Sequence, residues 1–85
     1  MNMRVEDIRK LTADDGWSVE LKIEHGDGIA YCYLEPEDGR WVEGRAEGDR
    51  PYGWGGKRYM GYLSVLEVLR WLHSDYDYIE IVDVH

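Results

Sequence analysis

WSVELKIEHGDGIAYCYL, residues 17–34, decides the fold. Its first half has a period of two. Trp17, Val19, Leu21 and Ile23 fall on one side and Ser18, Glu20, Lys22 and Glu24 on the other, as in an antiparallel strand with one solvated face. HGDG at 25–28 then reads as a hairpin turn, and the strand that follows sets Ile29, Tyr31 and Tyr33 against Ala30, Cys32 and Leu34. Both faces of that second strand are apolar or aromatic, which predicts a place in the middle of a sheet.

Downstream, Pro36 is expected to halt the ladder, EDG at 37–39 turns, and RWVEGRAEG at 40–48 reads as a third, twisted strand that Gly44 loosens. Strict alternation puts Trp41, Glu43, Arg45 and Glu47 on one side of it and only Val42 and Ala46 on the other, so it is expected at an edge. Upstream, MRVEDIRKLTADDG at 3–16 spaces Val5, Ile8 and Leu11 three apart with acids early and bases late, a short amphipathic helix that Asp14, Asp15 and Gly16 end. GYLSVLEVLRWLHSD at 61–75 is the strongest helical pattern, with Leu63, Leu66 and Leu69 recurring and Val65, Val68, Trp71 and Leu72 widening the apolar face. It is expected to be the main core element against the sheet. Tyr62, Val65 and Trp71 are the positions to inspect if a second apolar edge of this helix meets a partner. DYDYIEIVDVH at 75–85 alternates as a last strand. The predicted fold is α+β in the order α-β-β-β-α-β, one globular domain over residues 1–85, with a long glycine-rich loop before the second helix.

A chain of 85 residues buries only about 60 to 65% of its extended surface, so one modest core carries the whole structure. Hydrophobic residues make up 44% and the aromatics include 4 Trp and 7 Tyr without Phe, too apolar a composition for a disordered tail. Acids outnumber bases 18 to 10, for a net charge of -8. That balance disfavours nucleic-acid backbones and anionic membranes and favours basic partners. Cys32 is the single cysteine, which excludes an intrachain disulfide; a reducing, cytoplasmic setting is expected, with the thiol a small buried filler. No apolar run reaches the roughly 18 residues of a membrane span, and the first residues lack the continuous apolar stretch of a signal peptide.

Chemistry finds little support in the sequence. His25, His73 and His85 are spaced too widely for a ligand set, and HGDG and EDGR hold too few oxygens for calcium, so no metal or cofactor is expected. The carboxylate pairs Asp14 with Asp15, Glu37 with Asp38 and Glu43 with Glu47 lie in turns or on a strand face, where solvation accounts for them. Ser64 and Cys32 lack a nearby base and orienting acid. The reading leans away from an enzyme.

GDRPYGWGGKRYMG at 48–61 is compositionally separate and holds the only basic cluster. Its glycines do not match a Walker or dinucleotide spacing, although backbone amides with Lys57 and Arg58 could hold an anion by general physics. Arg50, Tyr52, Trp54, Lys57, Arg58 and Tyr59 are therefore the candidate contact residues, aromatics as anchors and bases as pairing groups. The same groups could form a stacking platform for nucleic acid. Six acids between Glu35 and Asp49, against two arginines, and four between Asp75 and Asp83 disfavour direct nucleic-acid binding. Those acids, Glu35, Glu37, Asp38, Glu43, Glu47, Asp49, Asp75, Asp77, Glu80 and Asp83, form the second candidate set: a negative surface, joined by Glu20 and Glu24, that would steer a basic protein partner.

In size and character, though in no motif, the chain is similar to the small acidic inhibitors and immunity proteins of phages and mobile elements. The resemblance implies a protein-binding module that occludes a basic or nucleic-acid-processing partner. Two other readings stay open: a small nucleotide- or nucleic-acid-binding domain using residues 50–59, and a self-associating structural protein, such as a homodimer formed through an edge strand or the aromatic helix face.

Overall fold

Alternation of apolar and polar residues builds the sheet. The computed structural model describes residues 3–26, 28–49, 58–59, 63–72, 76 and 78–85, with residues 44–46 and 58–59 described by backbone alone. In chain order the elements are α1 (Val5–Ile8), a 3-10 turn (Ala13–Asp15), β1 (Val19–His25), β2 (Gly28–Glu37), β3 (Arg40–Gly48), β4 (Arg58–Tyr59), α2 (Val65–Leu72) and β5 (Tyr78–Val84). The five strands among the described residues pair antiparallel in the order β4-β3-β2-β1-β5. The domain is small, with a radius of gyration of 11.9 Å. No helix among the described residues is long and apolar enough to cross a membrane.

β1 and β2 pair without a shift from Val19↔Leu34 to His25↔Gly28. Partners across a ladder share a face, so Val19, Leu21 and Ile23 lie with Leu34, Cys32 and Ala30, and all six are buried. β2 is the central strand, as its two apolar faces require. Its hairpin to β3 closes at Glu37↔Arg40 around Asp38 (φ 52°) and Gly39 (φ 74°), the paired left-handed residues of a tight turn whose twist matches the strands. Pro36 does not halt the ladder. It pairs with Trp41 one step in from the turn. There an antiparallel pair exchanges no backbone bond, and β1 has already ended opposite Leu34, so the missing N–H leaves nothing unsatisfied.

Two bulges break the period of two. In β3 the register jumps between Tyr33↔Arg45 and Leu34↔Glu43, leaving Gly44 as the extra residue. In β5 it jumps between Glu20↔Asp83 and Leu21↔Ile81, leaving Val82 unpaired and 46% exposed. The second bulge lets Ile79, Ile81 and Val84 face the core although their spacing is irregular. β3 is not an edge either, because the two residues of β4 pair with its Val42 and Glu43.

The helices cover one sheet face. α2 buries Val65, Val68, Leu69 and Leu72, a recurrence of three and four residues that forms one stripe. Val65 thus belongs to the core and not to an outer edge, whereas Trp71 is 45% exposed; Tyr62 lies outside the described residues. Ser64 opens α2 with its hydroxyl accepting the Glu67 N–H at 3.4 Å and donating to Glu67 Oε1 at 3.2 Å. The next N–H groups, of Val65 and Leu66, donate at 2.9 Å to the carbonyls of Leu11 and Arg9. The first turn of α2 is therefore satisfied by the backbone just past α1. α1 itself is a single turn, shorter than its sequence pattern predicts, because the chain leaves the helix after Ile8 to reach the 3-10 turn. There Asp15 Oδ2 accepts the Thr12 N–H at 2.8 Å.

Candidate functional site

The sheet face away from the helices carries the charge. Register assigns to it Glu20, Lys22 and Glu24 of β1, Ile29, Tyr31, Tyr33 and Glu35 of β2, Val42 and Glu47 of β3, and Tyr78, Glu80 and Asp83 of β5. The face is divided. Towards β4 it is closed, since Tyr33 is 9% and Val42 4% exposed. Towards β5 it is open, with Ile29, Tyr31 and Tyr78 exposed among acids.

Cross-strand rows describe the open part. One row runs Ile29, Glu24, Tyr78, and the next runs Glu47, Tyr31, Lys22, Glu80. Lys22 thus has Tyr31 and Glu80 beside it and Glu20 and Glu24 before and after it on its own strand. Its Nζ lies 4.0 Å from Glu24 Oε1. In the row beyond, Glu20 faces Asp83, and His85 sits against both: its Nε2 is 3.3 Å from Glu20 Oε1 and 4.0 Å from Asp83 Oδ2. Facing side chains in such rows are separated by about 5 Å, less than the Debye length of about 8 Å at physiological salt. Glu20, Glu24, Glu80 and Asp83, on adjacent strands around Lys22, consequently act on an approaching charge as one negative field, and Glu47 stands three strand spacings, about 14 Å, from Glu80 at the far end of its row.

The sequence-derived acids do not form one surface. Glu35, Glu47, Glu80 and Asp83 share this sheet face. Glu37 and Asp38 lie at the β2–β3 hairpin, at one end of the sheet. Asp49 is at the other end, where its N–H donates to the Ile29 carbonyl at 3.0 Å and its own carbonyl accepts from His25 Nε2. Glu43 is 2% exposed and belongs to the helix-facing side beside Trp41, a correction caused by the bulge at Gly44. Strict alternation carries Glu43 and Glu47 together; the extra residue sends Glu43 in and leaves Glu47 out. Asp75 and Asp77 lie outside the described residues.

Of the glycine-rich candidates, Arg58 and Tyr59 form β4, opposite Glu43 and Val42 in register. Arg50, Tyr52, Trp54 and Lys57 lie outside the described residues. Tyr31 and Tyr78, which frame the acidic rows, are not among the candidate contact residues read from the sequence. The signal for Tyr31 was present, since its alternation sets it on the Glu-rich side of the β1–β2 hairpin.

Among the described residues, no three or more His, Cys, Asp and Glu side chains are grouped so as to hold a metal ion. Cys32, the single cysteine, is buried in the sheet core. Comparisons with protein-family models, curated proteins and solved structures found no match for this chain.

Proposed function

We propose that the protein is a small acidic binding module whose open sheet face docks a basic surface of a partner protein, and that it acts by occlusion. One observation carries the reading: five carboxylates, those of Glu20, Glu24, Glu47, Glu80 and Asp83, share one sheet face with exposed Ile29, Tyr31 and Tyr78. Carboxylates in a shared field speed encounter with a basic surface, and rigid tyrosines supply contact area at little entropy cost. A nucleic acid would be repelled by the same face. An inhibitor of a nucleic-acid-processing protein fits this chemistry, because such a partner carries the complementary charge. The glycine-rich segment, through Tyr52, Trp54 and Arg50, would add anchoring groups.

The test compares retention from native lysate by the natural protein and by a Glu24→Lys, Glu47→Lys variant, with mass identification of what is held. Both positions are accessible, so the variant should fold. Proteins with basic surfaces should be retained only by the natural chain and released as salt rises. Retention of the same proteins by both, or of none by either, would sink the reading.

A further inference from the structure

Among the described residues β5 ends the sheet, with one side of its backbone bonded to β1. His85 exchanges both backbone bonds with Ser18, at 2.9 Å each, which turns the neighbouring Val84 N–H outward. There Asp83 Oδ1 accepts it at 2.8 Å. In a strand of L-residues the face a side chain takes fixes the direction of its own N–H and C=O. Ile79 and Ile81 face the core as Val84 does, so their backbone groups also point outward. No carboxylate caps the Ile79 or Ile81 N–H among the described residues.

Along this edge lies a groove of about 270 Å³, lined by Val5 of α1, Arg9 just past it, Leu69 of α2 and residues 78–81 of β5, of which Ile79 and Ile81 are on the helix-facing side and Glu80 on the other. Val5 is 45% exposed at its rim. A strand laid along β5 would continue the sheet and send every second side chain into this groove, those opposite Ile79 and Ile81. The residue between them would face Glu80 on the acidic side. The edge therefore specifies an alternation: apolar, basic, apolar.

A second copy of this chain is the wrong occupant by charge. Each copy carries a net charge of -8, and a β5–β5 pairing would bring Glu80 and Asp83 of one copy against the same acids of the other, where facing like charges destabilise. We propose that the outer edge of β5 captures an extended segment of a basic partner protein, whose apolar side chains enter the Val5–Leu69 groove and whose lysine or arginine lies over Glu80. The proposal rests on the reading of the chain as a binder of basic proteins, and assigns that binding a second surface and a strand-adding mode.

The experiment titrates the isotope-labelled full chain with a short, end-blocked peptide alternating valine and lysine, and with its valine–glutamate counterpart, reading amide exchange residue by residue. Exchange should slow at Ile79 and Ile81, and the lysine peptide should bind about tenfold tighter or more. Glu80→Lys should reverse that preference, and Val5→Asp should weaken both peptides; both sites are exposed and tolerate change. Unchanged exchange at Ile79 and Ile81 under excess lysine peptide, or equal affinity for the two peptides, overturns the proposal. So does protection at those amides that grows with protein concentration alone, which would assign the edge to a second copy. The Glu24→Lys, Glu47→Lys variant separates the two surfaces: loss of native partners with peptide binding intact confines failure to one of them.

Discussion

Replacing Gly48 by alanine should destabilise the protein far more than the same change at Gly16. Both glycines have left-handed backbone, φ 92° and φ 80°. A Cβ at Gly16 would meet nothing within 4 Å, whereas one at Gly48 would lie 2.7 Å from the Ile29 carbonyl oxygen and 3.3 Å from Ala30 Cα. That oxygen is also the acceptor for the Asp49 N–H at 3.0 Å, so the methyl competes with a bond the next residue makes. Holding alanine in the left-handed region costs about 1–2 kcal/mol, and restricting the unfolded chain returns about 0.4–1 kcal/mol. Gly16→Ala should therefore cost roughly 1 kcal/mol or less. At Gly48 overlap with backbone adds about 1–3 kcal/mol and the weakened bond about 1 kcal/mol, for a total near 4 kcal/mol. Urea unfolding followed by tryptophan fluorescence measures both. With a slope of about 1 kcal/mol per molar for a small domain, the Gly48→Ala midpoint should fall about 3 M below that of Gly16→Ala. Coincident midpoints would refute the close approach of β3 to the start of β2.

Cys32 is fully buried in the sheet core, so its labelling by a thiol reagent should be limited by opening of the structure and should accelerate with urea; reaction at the rate of an unfolded peptide thiol would contradict its placement. Trp54→Ala is expected to weaken binding to a captured partner much more than it lowers the melting temperature, and an unchanged affinity would remove the loop anchor from the proposed function.

Much of the sheet was legible because alternation is a direct readout of a half-buried strand. Val19, Leu21 and Ile23 against Ala30, Cys32 and Leu34 required no tertiary knowledge, nor did the central place of β2. The α2 stripe was legible for the same reason at helical period. What escaped were shifts of a single residue. Gly44 and Val82 each insert one position, and beyond an insertion every later side chain changes face. Glu43 was misplaced for that reason, and strict alternation sets Ile81 and Val84 on opposite faces although the bulge turns both to the core. Pro36 misled because its cost depends on whether its N–H was wanted, and pairing beside the turn answers that, not residue type. β4 carries too few residues to leave a period, and α1 is truncated by where its chain must go next. The acidic face was half visible: the charges could be counted, but their gathering into rows with Tyr31 and Tyr78 depends on the long-range pairing of β5 with β1.

That pairing also sets the order in which the fold can assemble. β1, β2 and β3 are joined by tight hairpins and can zip locally, but β1 finds its second neighbour only when Val19 meets Val84 and Glu24 meets Tyr78. Until that late, entropically slow closure, β1 is a bare edge whose inward side carries Val19, Leu21 and Ile23. Refolding should thus be most vulnerable to clumping before β5 docks, and yield should fall with concentration even where the finished protein is stable. The charged residues Glu20, Lys22 and Glu24 that alternate along β1 would then serve a chaperoning purpose, keeping a transient edge from recruiting its twin.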